Sequence, residues 1–334
     1  MPKGWEVRYS VSMSGEPHAR YTIYRHDIDR HLSSPIYVSS RQEFEQIPDF
    51  SEWFSPQSLS PDNRYLVQSV ALTTGSWAIY LIDTSTNEYV PLDMLMRDIS
   101  WSPDGEFLAY NNNDLEAGLF TGFDDLETLE HIPLDNFNNV SNFLWSNDSR
   151  SVMFSAIGEV TTTGTASNGY DIYVFSIEDR TSNNITQTPD LNEYLPVWSA
   201  DNHQIVYAID TSGSRQFYLH TLESGEIIQL PIPHTDDTLK SWSPNGEDLL
   251  FFTKLGVYFD FGMYLMSLDG QRSNFTSIVI NVALAPHTFW SPDGQRIVVH
   301  EMRYGGVDEL IPTVIDIDTG DSYSLTQQSA DLLP

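Results

Sequence analysis

Two stretches decide how this chain is read: "SWSPDGEFLAY" at residues 100–110 and "FWSPDGQRIVV" at residues 289–299. Each is a Trp-Ser-Pro-Asp-Gly turn running straight into a short apolar segment. The turn chemistry is specific: proline pre-sets φ at the first corner, aspartate bonds backbone two residues on, and glycine tolerates a positive φ. Working outward, "WSPNG" recurs at Trp242 to Gly246, with weaker copies "WSNDS" at Trp145 to Ser149, "WSADN" at Trp198 to Asn202 and "LSPDN" at Leu59 to Asn63. Apolar runs follow each copy, among them "YLVQSV", "VMFSA", "IVYAI" and "LLFFT".

The spacing between copies runs from 42 residues (Leu59 to Trp101) to 53 (Trp145 to Trp198). Within that period a second β-rich run follows, such as "AIYLIDT", "DIYVFSIED" or "MYLMSLDG", and then a short closing strand, such as "EYVPL" or "EIIQLP". Alternation and β-branched or aromatic enrichment mark these runs as strands joined by tight turns. A period of this length with four strands per unit predicts an all-β, seven-bladed β-propeller of four-stranded antiparallel blades. The seventh copy is split between the ends. "MPKGWEVRYS", with Pro2-Lys3-Gly4, aligns with "SPDGEFLAYN", and "SADLLP" (Ser329–Pro334) aligns with "DLNEYLP". The expectation is one propeller over residues 1–334, with motifs near 2–4, 59–63, 101–105, 145–149, 198–202, 242–246 and 290–294. Its ring would be closed by pairing the C-terminal strand with the N-terminal blade.

The motif residues Trp101, Asp104, Gly105, Trp145, Trp198, Trp242, Trp290, Asp293 and Gly294 are read as structural. Each tryptophan is expected to wedge against the neighbouring sheet, and the aspartates form turns rather than catalyse.

Composition narrows the function classes. There is no cysteine, which excludes disulfides, thiolate metal sites and thiol catalysis. The 47 acidic against 16 basic residues leave a formal net charge of −31. That field repels nucleic-acid phosphates and anionic lipid and suits a basic partner. Salt tolerance spread over the surface is the other reading of the same charge. No run reaches the roughly 18 apolar residues of a membrane span, so direct membrane insertion is not expected. The first twenty residues lack the apolar stretch of a secretory signal.

The quoted copies resemble the TolB-like (PD40) branch of WD-repeat-like propellers, whose repeat reads Pro-x-Trp-Ser-Pro-Asp-Gly followed by a β run. The likeness covers essentially the whole chain. It implies the propeller fold strongly and a function only loosely, because a fold hosts many activities. The resemblance also implies an extracytoplasmic location, with a cytoplasmic one as the alternative. The family includes periplasmic scaffolds that bind proteins or peptides and the gating domains of prolyl-oligopeptidase-like peptidases. The chain departs from both, leaving no room for the additional α/β domain of TolB and containing no Gly-x-Ser-x-Gly nucleophile elbow.

A ligand would sit on the face built by the inter-blade loops and the loops between second and third strands. The aromatics expected there are Trp53, Phe54, Trp77, Tyr194, Tyr258, Phe261 and Tyr304. The acids include Glu43, Glu45, Asp236, Asp237, Asp260, Asp308 and Glu309. Aromatic anchors ringed by carboxylates fit a basic protein or peptide. The leading expectation is therefore a non-enzymatic protein- or peptide-binding propeller scaffold. Two alternatives stay open: a propeller hydrolase or lyase with a carboxylate or metal site in the central channel, and a regulatory propeller subunit of a peptidase complex.

Other clusters carry less. "HDIDRH" (His26–His31) alternates across a strand and reads as a solvated edge rather than a metal site. "DIDTGD" (Asp316–Asp321) spaces oxygens as a calcium loop does but lacks the bidentate glutamate. No catalytic residue, resident cofactor or metal is assigned, and calcium stays open as a structural or adventitious ion.

Overall fold

A computed structural model describes residues 6–13, 20–27, 32–39, 50–92, 97–112, 116–123, 129–134, 137–157, 169–188, 190–211, 214–232, 237–254, 260–268, 272–273, 280–281, 289–303 and 309–325. The chain divides into two compact units, one of Arg8–Arg25 and Ser33–Asp190, the other of Met1–Val7, His26–Leu32 and Leu191–Pro334. Both are built of β-strands, and no helix occurs among the described residues.

The first unit holds most of a three-stranded sheet, β1 (Glu6–Met13), β2 (Arg20–Asp27) and β3 (Leu32–Ser39). Three four-stranded sheets follow. The second sheet is β4 (Phe50–Leu59), β5 (Tyr65–Leu72), β6 (Trp77–Asp83) and β7 (Tyr89–Leu92). The third is β8 (Arg97–Trp101), β9 (Leu108–Asn112), β10 (Glu116–Thr121) and β11 (Glu130–Pro133). The fourth is β12 (Asn138–Trp145), β13 (Ser151–Ile157), β14 (Asp171–Ser176) and β15 (Thr181–Asn184).

The second unit repeats the plan. Its sheets are β16 (Glu193–Trp198), β17 (Gln204–Thr211), β18 (Ser214–Thr221) and β19 (Glu226–Gln229); β20 (Thr238–Trp242), β21 (Asp248–Lys254), β22 (Asp260–Ser267) and β23 (Arg272–Ser273), with β24 (Ile280–Asn281) on β22; and β25 (Phe289–Trp290), β26 (Arg296–Arg303), β27 (Glu309–Asp316) and β28 (Ser322–Ser324). In each sheet the strands lie in chain order and pair antiparallel. The short β24 pairs with the start of β22: Ile280 and Asn281 lie opposite Phe261 and Asp260.

The repeated turn is held by the same atoms six times. Ser Oγ donates to the acidic or amide side chain two residues on, at 2.5–2.7 Å, in Ser60–Asp62, Ser102–Asp104, Ser146–Asp148, Ser199–Asp201, Ser243–Asn245 and Ser291–Asp293. The same Oγ accepts the N–H five residues on, as from Phe107, Gln204 and Arg296. The fifth residue closes the turn on the serine carbonyl and takes a positive φ: Gly105 (79°), Gly246 (76°) and Gly294 (70°), and in the weaker copies Asn63 (69°), Ser149 (60°) and Asn202 (61°). The last three show why the consensus glycine can lapse: asparagine, and at one copy serine, hold the left-handed conformation at modest cost.

Packing explains the apolar runs. A second strand with neighbours on both faces buries every residue, so its sequence loses alternation. In β21, Leu249 and Phe251 join Val197, Val206 and Phe217 of the preceding sheet, while Leu250 and Phe252 join Ile297, Val299 and Ile315 of the following one. β9 does the same: Leu108 and Tyr110 pack with Tyr65 and Val67, and Ala109 packs with Val152 and Phe154. The tryptophans stitch adjacent sheets within each unit. Trp101 stacks near Tyr65, Trp145 Nε1 donates to the Ser100 carbonyl at 3.1 Å, and Trp290 Nε1 donates to Ser241 Oγ at 2.8 Å. Trp242 is buried in the shared core, and Trp198 is half-buried.

The first strands are irregular. Register shifts interrupt the pairing of β4, β8, β12, β16 and β20 with their second strands. Three residues before the tryptophan, Asp98 (φ 44°), Asn142 (59°) and Leu195 (53°) sit in the left-handed region. Such bulges bend a strand and re-aim the residues beside them.

Candidate functional site

Each antiparallel sheet has two ends. The repeated turns occupy the end where first strands finish and second strands begin. Most of the described candidate binding residues lie at the other end, where first and third strands start. Register places Phe54 opposite Val70 and Trp77 opposite Ala71 in the second sheet, Tyr194 opposite Ala208 in the fifth, and Phe261 opposite Lys254 in the sixth.

Their setting differs from the expected loops. Trp53 and Phe54 lie within β4, Trp77 opens β6, Tyr194 lies in β16, and Asp260 and Phe261 open β22. For Trp53, Phe54 and Tyr194 the reason is the bulged first strand, which resumes pairing upstream of its irregularity and so carries the ladder to the sheet's edge. Glu309 likewise opens β27. Glu43, Glu45, Asp236, Tyr258, Tyr304 and Asp308 lie outside the described residues.

In the second sheet the β5–β6 hairpin is tight. Gly75, at φ 84°, donates its N–H to the Leu72 carbonyl, and the Leu72 N–H returns to Ser76. This hairpin lifts Trp77 clear of the core, and the residue is 49% exposed. Large apolar side chains that open to water are rare among the described residues, with Ile227 and Ile228 as the others.

In the second unit a polar cluster joins two candidate residues, Tyr194 and Asp237, through one that the sequence reading missed, Arg215. Arg215 follows Ser214 near the start of β18, across the hairpin from Asp210. Its Nε donates to the Tyr194 hydroxyl at 2.6 Å, its Nη1 donates to the Asp237 carbonyl at 3.1 Å, and its Nε stands 3.5 Å from Asp210 Oδ1. Its guanidinium also lies over the Tyr194 ring, 4.9 Å from the centroid. Burial, then the Asp210 carboxylate, pushes the Tyr194 phenol up to about 12 despite Arg215. Tyr207 is likewise pushed up to about 12, by burial first and the nearby Glu193 second.

Asp237 corrects an expectation. It was read as an acid on an accessible face, yet it has no solvent exposure. Tyr264 of β22 donates its hydroxyl to Asp237 Oδ2, while Oδ1 has no hydrogen-bond partner among the described residues. Asp237 immediately precedes β20, where its carbonyl accepts from Arg215 of the neighbouring sheet's hairpin and its carboxylate accepts from Tyr264. It therefore organises the edge rather than meeting a partner. A lone arginine in a strand hairpin of so acidic a chain was the available signal for Arg215; nothing local marked Asp237 as buried.

The two remaining clusters resolve as follows. Asp316 Oδ1 accepts from the N–H groups of Asp318 and Thr319 and from the Thr319 hydroxyl, and Gly320 closes the turn. Asp83 makes the equivalent turn with Ser85 and Thr86. These donors hold both carboxylates below their usual range, although burial opposes the effect and is the largest influence on Asp83. His26 and Asp27 end β2, and residues 28–31 lie outside the described residues. Among the described residues no group of three His, Asp or Glu side chains is placed to hold a metal ion, and no helix is long and apolar enough to cross a membrane.

The TolB beta propeller domain model (PD40) matches residues 92–332. Solved structures similar to the chain include TolB from Acinetobacter baumannii, at 16% identity and a TM-score of 0.52 over 95% of this chain and 78% of that one. An oligogalacturonate lyase in complex with manganese matches at 13% identity and a TM-score of 0.60, over 97% and 85%. The β-propeller domain of the Trilobed protease from Pyrococcus furiosus matches at 12% identity and a TM-score of 0.56, over 97% and 95%. At these identities the likeness is one of fold, the β-propeller. A comparison of the sequence with curated proteins finds no match.

Proposed function

The chain belongs to the TolB beta propeller (PD40) family, and on that premise we propose that it is a non-enzymatic scaffold that binds a protein or peptide of basic character. In this reading the seven sheets are seven blades, closed into a ring when "SADLLP" supplies the strand missing from β1–β3. The binding surface is the sheet edge opposite the repeated turns, and the working location is extracytoplasmic.

The observation that carries the proposal is Trp77, half-exposed at the start of β6 on that edge. An indole held in water by a rigid hairpin gains most by being covered, and aromatic anchors of this kind dominate interface energetics. The net charge of −31 favours a cationic partner and speeds its approach. Asp237 is not among the charges that meet it; Asp210, exposed at the corresponding end of its own sheet, is.

The test is a pull-down from native extract with the wild-type chain and Trp77→Ala, identified by mass spectrometry. A specific partner is expected with the wild type, released by salt and retained at least tenfold less by the variant, whose melting temperature stays unchanged. Equal capture by both proteins overturns the reading, as does turnover of a substrate by the purified chain.

A further inference from the structure

The outer strand of a sheet leaves one row of N–H and C=O groups unpaired, and natural proteins guard such edges with proline, charge or brevity. Most outer strands here are guarded. β3 contains Pro35, β7 contains Pro91, β11 ends in Pro133, β15 and β28 are polar, and β23 has two residues. β19 is different. It reads Glu-Ile-Ile-Gln, is exposed at all four residues, and carries Ile227 and Ile228 at 49% and 48% exposure, one on each face.

The exposure is not inherent to the position. Ile228 pairs with Leu219 as Ile132 pairs with Leu119 in the third sheet, and Ile132 is only 5% exposed. The register also says which groups are free. Leu230 N–H donates to the Phe217 carbonyl, so Leu230, Ile228 and Glu226 turn their backbone groups inward to β18. By alternation, the N–H and C=O of Ile227 and Gln229 point outward.

We propose that the outer edge of β19 is a docking edge for an extended cationic segment of a partner protein, which adds to the sheet as a further strand. Backbone pairing to Ile227 and Gln229 supplies the affinity, and apolar side chains cover Ile227 on the face away from Glu226. Charge selects the occupant: the acidic residues of the strand and the turn before it, Glu223 and Glu226, are exposed, and the chain's net charge is −31. A lysine or arginine opposite Glu226 is matched, whereas a second copy of this chain brings like charge to the edge. This edge is separate from the one bearing Trp77, and Trp77→Ala leaves it intact.

The test uses the full chain and a fluorescent peptide of alternating lysine and valine. Two controls go with it: the same peptide N-methylated on both backbone edges, and its glutamate counterpart. Binding is read by anisotropy and by amide hydrogen exchange. Expected are at least tenfold tighter binding than either control and slowed exchange at Ile227 and Gln229. Ile227→Pro removes an outward N–H without breaking the β18 ladder and should weaken binding at least tenfold. Should that variant unfold, Glu226→Lys keeps the strand and should erase the preference for the cationic peptide. Equal binding of the N-methylated control, protection elsewhere, or concentration-dependent dimers abolished by the β19 variants would each overturn the proposal.

Discussion

Removing one oxygen atom, by Tyr264→Phe, tests the claim that Asp237 is an organising carboxylate. Asp237 is fully buried, Tyr264 is 1% exposed, and its hydroxyl donates to Asp237 Oδ2. The ring itself is held by stacking on Phe251, centroid to centroid 5.3 Å, and phenylalanine preserves that contact. The loss is thus the hydrogen bond and the support of a buried carboxyl oxygen. A hydrogen bond contributes about 0.5–1.5 kcal/mol net, and leaving its buried partner unsatisfied costs about 1–3 kcal/mol. Taking about 2 kcal/mol, the folding constant falls about thirtyfold. Urea unfolding followed by circular dichroism measures it, and a double-mutant cycle with Asp237→Asn isolates the pair. Coupling of about 1 kcal/mol or more is expected. A Tyr264→Phe loss under about 0.5 kcal/mol, or additive effects in the cycle, would refute the reasoning.

Three further outcomes follow from the same geometry. Leu195 holds a φ of 53°, so Leu195→Asn should be tolerated, while the outwardly conservative Leu195→Val should cost about 1–2 kcal/mol in urea unfolding, because a β-branched residue resists that conformation. Gln68 is fully buried with neither amide atom bonded among the described residues; Gln68→Met should stabilise by about 1 kcal/mol, and a loss instead would mean that a trapped water satisfies the amide. The phenols of Tyr173, Tyr194 and Tyr207 are each pushed up to about 12 from 10.0. The folded state keeps these protons where the unfolded state has lost them, so their contribution is whole below pH 10 and is lost as pH rises toward about 12. Absorbance at alkaline pH should show a late-titrating class of tyrosines that shrinks in Tyr207→Phe; a single titration near pH 10 would contradict it.

How far the sequence reached depends on the range of the chemistry. The repeated turn closes on itself within five residues, Ser Oγ to Asp Oδ1 and back to the next strand's N–H, so its six copies could be read from spelling alone. The unalternating second strands were legible too, since neighbours on both faces leave no polar side to write. From these come the all-β repeat, the sheet order and the sheet end away from which a site should be sought. Tertiary structure alone decided the fate of individual residues at that other end. Trp77 and Asp237 were read as equivalent surface groups. A tight hairpin carries one into water, whereas the Arg215 fork and the Tyr264 hydroxyl close over the other. The same holds for Ile132 and Ile228, identical in type and register, one covered and one bare. Burial at a sheet edge is set by what the next sheet places there, many residues away, and no local pattern records it.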